Sequence, residues 1–553
     1  MPTLNCTRCK REIDPEHLQQ NLYVCPSCQW HFPVTARQRV ALLADGGKLR
    51  EISKHLSSAD PLHFSITKPY PQMIREAGLR TGLDEAVVAG EAAIGGNSVV
   101  LICTDFEFMG GTMGSVVGEK VVRAFDLATR KRLPVIVVLA SGGARIQEGM
   151  LALMQMAKTT AAVTAHRAKS LLFVSVLANP SFGGPVASFA SLADILLAEP
   201  GAKIGFAGAR VVEKTIAETI PEDARRAEDL LKHGLIDMVV PRAELRKILE
   251  LLLTTARPRR IYAFPRMQDR RAPRRASPAA ADAVALARHP KRPRSRDYIE
   301  RLFSGFVEFH GDRAYRDDPT IITGVAVLSG NPVVLVAQEG LAMSFPEGYR
   351  KARRLLLFAA KFHLPVITFV DTPGAHPGLE ADYRGVGMAI ADCLATLATL
   401  EVPILAIVIG EGGSGGALAL TVADTILMQE NAIYSVISPE GAAAILYRDL
   451  SPSAELLPAL KLRAQDLLDL KIIDDIVPEP PGGAHLAVED AVQLLRDKML
   501  LRLSEIVRVA PRKLVSRRLK RFRSIGQFEK EWLTLARRLL KGSRAGSLIR
   551  SNG

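Results

Sequence analysis

The 553-residue sequence predicts an α/β protein: two tandem copies of one α/β domain behind a small four-cysteine ribbon. Three observations carry this expectation. Four of the six cysteines fall into two CxxC pairs near the N-terminus. Apolar strands ending in glycine-bearing turns then alternate with helical stretches, the pattern of a crossover-connected parallel sheet. The whole pattern recurs about halfway along the chain, in the same order and at nearly constant offset.

The ribbon spans residues 1–35. Its pairs, Cys6 with Cys9 and Cys25 with Cys28, are separated by fifteen residues. Each pair supplies two corners of a tetrahedron, so the spacing predicts one structural Zn2+ per chain. Thiolates fill all four positions, leaving none open for chemistry. The opening "MPTLNCTRCK" lacks the apolar stretch of a secretory signal, so a cytoplasmic chain with reduced thiols is expected rather than disulfides. Cys103 and Cys393 lie in apolar context and read as core residues.

The first domain covers 36–256. "NSVVLICTDFEFMGG", "LPVIVVLASGGAR" and "LLFVSVLANPSFGG" each read as a strand running into a glycine turn, and "GMLALMQMAKTTAAVTAHRA" as a helix between the last two. Residues 257–286, rich in Pro, Arg and Ala, form a basic linker with room for one short helix. The second domain, 287–500, repeats the first. Leu133-Pro134 and Leu364-Pro365 are 231 apart, and Asp194 and Asp424 are 230 apart, both aspartates reading as structural. Residues 501–553 form a basic tail of helical composition.

With 48% hydrophobic and 24% charged residues the chain reads as ordinary globular protein, and no apolar run is long enough to span a membrane. The net charge of +14 is localised. Residues 257–296 carry thirteen Arg/Lys against two Asp, and 501–553 fifteen against three Glu, which leaves the remainder at −9. Linker and tail suit a nucleic acid, an acidic protein or anionic lipid, or simply a solvated joint and tail.

"VIGEGGSGGALAL", residues 408–420, holds five glycines in thirteen positions. It matches neither a P-loop nor a dinucleotide fingerprint. Tight helix–strand packing explains some of these glycines, but the equivalent place in the first copy also carries Gly183-Gly184. A strand ending in Gly-Gly before a helix leaves backbone N–H groups unpaired and unobstructed, which is how an oxyanion hole is built. Two copies predict two holes, one for each of two reactants.

At this point the motifs resemble a family. "FMGGTMGSVVGEK" (108–120), "SGGARIQEG" (141–149) and "KIGFAGARV" (203–211), behind the four-cysteine ribbon, resemble the β subunit of bacterial acetyl-CoA carboxylase carboxyltransferase. "ARHPKRPRSRDYI" (287–299), "GDRAY" (311–315), "PEGYRKA" (346–352), "DTPGAHPG" (371–378), "GEGGSGGALA" (410–419), "YSVISPEG" (434–441) and "PEPPGGAH" (478–485) resemble its α subunit. The chain looks like the two fused, β first. The resemblance implies two crotonase-like ββα-spiral domains and transfer of a carboxyl group from carboxybiotin to acetyl-CoA, giving malonyl-CoA for fatty acid biosynthesis. It implies that Gly183 and Gly184 face the thioester oxygen and Gly412 and Gly413 the biotin carbonyl. Substrate is expected around Gly110, Gly111, Gly142 and Gly143. Lys120, Arg145 and Arg350 lie beside glycine turns and are candidates for CoA phosphates, with surface positions or structural ion pairs as the competing reading. With neither a biotinylation site nor an ATP loop, the chain is expected to need a biotin carboxyl carrier protein and a biotin carboxylase. A homodimer of the fused chain would reproduce the two-plus-two assembly.

Three departures from the family pattern stand out. The segment before "PEGYRKA" is short, Pro185 removes a donor just past the first hole, and His376 stands where Tyr is common. His376 reads as shape-filling rather than as a general base. The competing functions are a propionyl-CoA carboxyltransferase, a biotin-dependent acyl-CoA decarboxylase subunit, and a zinc-ribbon nucleic-acid-binding regulator with Tyr23, Trp30 and Phe32 as stacking candidates.

Overall fold

The computed structural model describes residues 4–66, 68–217, 219–257, 262–267, 278–340, 342–447 and 456–526. Two eight-stranded mixed sheets dominate it. In the first, strands Met238–Val239, Ile195–Ala198, Phe173–Phe182, Val135–Ser141, Asn97–Thr104, Val87–Ile94 and Leu49–Glu51 lie side by side in that order, with Ile204–Gly205 on the end of Phe173–Phe182. In the second the same places are taken by Asp475–Val477, Thr425–Gln429, Ile404–Gly413, Val366–Thr372, Asn331–Gln338, Ile321–Leu328 and Ser304–Glu308, with Ile433–Ser435 on the end of Ile404–Gly413. The duplication inferred from two landmarks therefore extends to every strand of the two large sheets.

The central strands are apolar runs because both faces are covered. All seven residues of Val135–Ser141 and of Val366–Thr372 are buried. The crossover helices Ser115–Lys131 and Pro346–Phe362 match one another: each buries an apolar stripe, and each stops at a left-handed residue, Arg132 and His363. The two halves meet directly. Asp237, buried in the first half, receives Arg354 at 2.7 Å and also Arg313 from the second. Gly311 packs against Gly234 so closely that a Cβ on it would lie 2.3 Å from the Gly234 carbonyl oxygen.

Asp194 and Asp424 do equivalent work. Each carboxylate accepts the first amide of a neighbouring strand, from Phe173 at 2.9 Å and from Ile404 at 2.8 Å. Each also meets a cation from the next unit along the chain, Lys361 at 2.6 Å and Arg518 at 2.8 Å. Arg518 belongs to helix Pro511–Arg523, and its buried guanidinium also donates to Leu397, Leu400 and Val402 carbonyls. So the described part of the basic tail is seated on the second domain, where the sequence offers a solvated tail as one reading. The boundary expected at 500/501 falls inside a continuous helix, Val488–Ile506. Of the linker, Tyr262 and Ala263 bond to His363 and Asn331, and Ala280–Ala287 is the short helix. Most of its arginines lie outside the described residues.

Candidate active site

At the carboxyl ends of the first sheet three glycine segments converge. Strand Val135–Ser141 runs into Gly142–Gly143, Phe173–Phe182 into Gly183–Gly184, and Asn97–Thr104 leads to the turn Met109–Gly111. Gly142 N–H donates to the Gly110 carbonyl at 2.8 Å, and Gly143 N–H to Ser141 Oγ at 3.1 Å. Gly143 and Gly183 have φ of +120° and +70°. A Cβ on Gly183 would lie 2.7 Å from the Gly143 Cα, and one on Gly111 2.3 Å from the Ala140 carbonyl oxygen. Backbone conformation and space both demand glycine here. The Gly184 N–H donates to no acceptor among the described residues.

Strand register fixes which residues are equivalent in the second sheet, and it corrects one expectation. Ser141 pairs with Ser181, and its counterpart Thr372 pairs with Gly412. Gly412–Gly413 therefore correspond to Ser181–Phe182, two residues short of the turn, and the counterparts of Gly183–Gly184 are Ser414–Gly415. Matching glycine to glycine fails because the two pairs are glycine for different reasons. A Cβ on Gly412 would lie 2.8 Å from the Tyr434 ring, and one on Gly413 2.2 Å from the Pro373 carbonyl oxygen. Ser414 has the left-handed φ of +51°, as Gly183 does, and Thr372 Oγ1 accepts the Gly374 N–H at 3.1 Å as Ser141 accepts that of Gly143. The Gly415 N–H donates to no acceptor among the described residues, and a Cβ at Gly415 would meet nothing within 4 Å. The signal was available: the 231-residue offset, applied strictly, lands on Ser414–Gly415.

Beside the first turn lies a cavity of about 660 Å³, walled by Val186, Leu196, Ile204 and Phe206 with Arg225 and Arg313. In the second copy Tyr434 takes the place of Ile204, its side chain half-buried and its hydroxyl 2.8 Å from that of Thr421.

The charged candidates sit in tight protein environments. Lys120 is buried and donates to Val87 and Lys54 carbonyls at 3.3 and 3.4 Å; burial pulls its pKa down against the nearby Glu51, Glu85 and Asp84. Arg145 is buried in a bidentate pair with Glu85 at 2.6 and 2.7 Å. Arg350 pairs with Asp312 at 2.7 Å and donates to the Arg384 carbonyl. His376 stacks on Phe345 at 4.2 Å, and its Nδ1 accepts the Gly378 N–H. Cys103 and Cys393 are buried, and burial pushes both thiols up to about 12, which removes them as nucleophiles.

The four N-terminal cysteines cluster with every Sγ within 4.8 Å of the others; Cys6 and Cys28 are 3.7 Å apart, Cys9 and Cys25 3.8 Å. Zinc–sulfur bonds of about 2.3 Å in a tetrahedron set sulfurs about 3.8 Å apart, so the donor set and its size fit Zn2+. Arg242 docks the ribbon on the first domain. It donates to the carbonyls of Leu22, Tyr23 and Phe32 at 2.9 to 3.2 Å, and it shares the buried Glu199 with Arg39. Tyr23, Trp30 and Phe32 pack on the ribbon core rather than standing free to stack on bases.

The two copies of one fold thus each end a central strand in a kinked turn followed by an amide with no acceptor among the described residues, Gly184 in the first and Gly415 in the second. Residues 274–526 match the family model described as acetyl co-enzyme A carboxylase carboxyltransferase-like. Over 95% of its length the chain is 44% identical to the acetyl-coenzyme A carboxylase carboxyl transferase subunits beta/alpha of Parafrankia sp., covering 91% of that protein. It is 43% identical to the protein of the same name from Salinispora arenicola, over 94% and 96% of the two chains. A probable biotin-dependent acyl-coenzyme A carboxylase beta3 subunit from Mycobacterium bovis is 34% identical over 85% of this chain and 94% of its own. Among solved structures, the transcarboxylase 12S crystal structure with methylmalonyl-coenzyme A and methylmalonic acid bound superposes with a TM-score of 0.68. That likeness has 22% identity, covers 86% of this chain and 91% of that one, and establishes the crotonase-like carboxyltransferase fold. The chain belongs to the acetyl-coenzyme A carboxylase carboxyl transferase family in which β and α subunits are fused.

Proposed function

We propose that this chain transfers a carboxyl group from carboxybiotin, carried on a separate protein, to acetyl-CoA, using one backbone oxyanion hole in each domain. The observation that carries this reading is the pair of register-equivalent turns, Gly183–Gly184 and Ser414–Gly415, each with an unpaired amide. The first domain is the acyl-CoA side, and its cavity, walled by Val186, Leu196, Ile204 and Phe206, has the size and apolar walls for an acyl-pantetheine arm. The second domain, extended through residue 526, is the biotin side. Gly412–Gly413 deliver the strand end to its hole.

In the reaction, the N–CO2 bond of carboxybiotin breaks, and the electron pair stays on the ureido group, whose oxygen the Gly415 amide stabilises. The ureido nitrogen takes the α-proton of the thioester. The resulting enolate places its charge on the oxygen facing the Gly184 amide, and its carbon bonds to CO2 to give malonyl-CoA. One such donor is worth about 100- to 1000-fold in rate. No side-chain nucleophile is required.

A homodimer supports the assembly of the site. Ile146, Met150 and Phe206 in the first domain, and Leu379, Tyr383 and Val436 in the second, are each between 63% and 81% exposed. These apolar positions stand after equivalent strands in the two copies, and two chains related by a two-fold axis would set the first-domain face of one on the second-domain face of the other. The ribbon holds structural Zn2+. Its four thiolates suit a reducing cytoplasm, and among the described residues no helix is long and apolar enough to cross a membrane.

The reverse reaction tests the proposal. Purified chain with biocytin and malonyl-CoA is expected to release acetyl-CoA, faster than it consumes methylmalonyl-CoA. A folded, zinc-loaded chain with no turnover of either substrate contradicts it.

A further inference from the structure

The second glycine turn is held by a segment that precedes every strand of the second sheet. Arg288, at the end of helix Ala280–Ala287, pairs side-on with Glu411: Nη2 to Oε1 at 2.6 Å and Nε to Oε2 at 2.9 Å. The same guanidinium reaches Glu440, in the first turn of helix Pro439–Tyr447, at 2.7 and 3.2 Å. Glu411 precedes Gly412, and three residues separate it from Gly415. Its own N–H is taken by the Asp371 carboxylate at 2.9 Å. Two residues earlier in the strand, the Ile409 carbonyl accepts Arg292 Nε at 2.7 Å, and Arg292 is itself anchored on Glu479. In the first copy the position equivalent to Glu411 is Pro180, which carries no charge to clamp.

We propose that Arg288 is a positioning residue for the carboxybiotin-side hole: it neutralises Glu411 and Glu440 together and so fixes the strand end that presents the Gly415 amide. The inference rests on the reading of that turn as an oxyanion hole. Without the guanidinium, two carboxylates meet at the base of the turn, one of them nearly buried, and like charges at that separation push the strand end and the helix apart. A donor displaced by about 1 Å loses about a hundredfold in rate. Among the described residues the side-chain partners of Arg288 are Glu411 and Glu440, neither in the first domain, so acyl-CoA binding is expected to be unchanged. Lysine is a poor replacement, because a single ammonium cannot engage two carboxylates in the forked geometry.

The experiment compares the native chain with R288A, R288K, E411Q and the double variant R288A/E411Q. Its readouts are the biocytin-dependent reverse reaction, the malonyl-CoA dissociation constant by calorimetry, and the thermal midpoint. R288A is expected to lose about a hundredfold in kcat with a raised KM for biocytin, while malonyl-CoA binding stays within about twofold of native. R288K recovers part of the loss. E411Q reproduces part of it, and the double variant is no worse than R288A because both changes break one contact. R288A turnover within about twofold of native overturns the inference while leaving the oxyanion-hole reading intact. A loss of malonyl-CoA binding and thermal midpoint in step with kcat also overturns it, by showing a fold-wide role. An inactive native chain overturns the functional reading and this inference with it.

Discussion

A Cβ on Gly183 would stand 2.7 Å from the Gly143 Cα, because strands Val135–Ser141 and Phe173–Phe182 converge until their exit turns touch. The Gly184 amide, next along the turn, has no protein acceptor among the described residues. Gly183→Ala is doubly strained, by its φ of +70° and by the Gly143 backbone. It is expected to lower stability by about 1–3 kcal/mol and to depress turnover by more than that loss explains. Denaturant unfolding and malonyl-CoA turnover on one preparation check both.

Glu199 lies between Arg39 and Arg242 with almost no solvent contact. Burial alone would raise its carboxyl, but the two guanidinium groups outweigh that and hold it well below the usual range. Glu199→Ala leaves two buried cations unpaired and is expected to lose about 3–5 kcal/mol. Since Arg242 also holds the ribbon carbonyls, hydrogen exchange should rise in residues 22–32 of the variant before it rises in the central strands.

Metal removal tests the ribbon separately. One zinc per chain is expected from thiol titration coupled to a metal indicator, and Cys25→Ser should release it. Because Cys6 and Cys25 form the small ribbon core with Ile13 and Leu18, stripping the metal is expected to unfold the ribbon while the two sheets keep a cooperative thermal transition. Full retention of ribbon protection without metal would refute the zinc assignment.

The pH dependence of stability has a definite sign at Asp371. Burial pushes its carboxyl up to about 6, against the Glu411 N–H and Arg292, which favour the charged form. Between the ordinary aspartate value of 3.8 and about 6 the folded chain keeps a proton that the unfolded chain has lost. The contribution of this residue therefore falls as pH rises through that window and is flat above it. Relative to native, Asp371→Asn is expected to gain stability from pH 4 to 6 and none from pH 6 to 8, measured by denaturant unfolding at each pH.

Much of the architecture was legible because it is written in spacing. Two CxxC pairs fix a tetrahedral ribbon, and paired landmarks at one offset fix a duplicated sheet. The second turn was less legible because glycine serves two ends that share one letter. Gly413 is glycine to let the Pro373 backbone approach, whereas the kink falls at Ser414, whose left-handed φ no letter announces. Charged residues were ambiguous for a similar reason. Lys120, beside a glycine turn, looks in sequence like a phosphate ligand, but its ammonium is buried under carbonyls contributed by Lys54 and Val87. Arg518 sits in a run that reads as a solvated basic tail, and only the fold brings Asp424 and three carbonyls to it. Those partners lie about a hundred residues away, beyond any local pattern.

The proposed function requires the bare amides at Gly184 and Gly415 to face the reacting oxygens, and Gly415 offers the most direct test. A side chain there meets no protein atom within 4 Å at its Cβ, so Gly415→Val should fold with a native thermal midpoint. It would occupy the space a ureido oxygen needs. At least about a hundredfold loss of biocytin-dependent malonyl-CoA turnover is expected, with malonyl-CoA binding unchanged. Native turnover in the folded variant would contradict it.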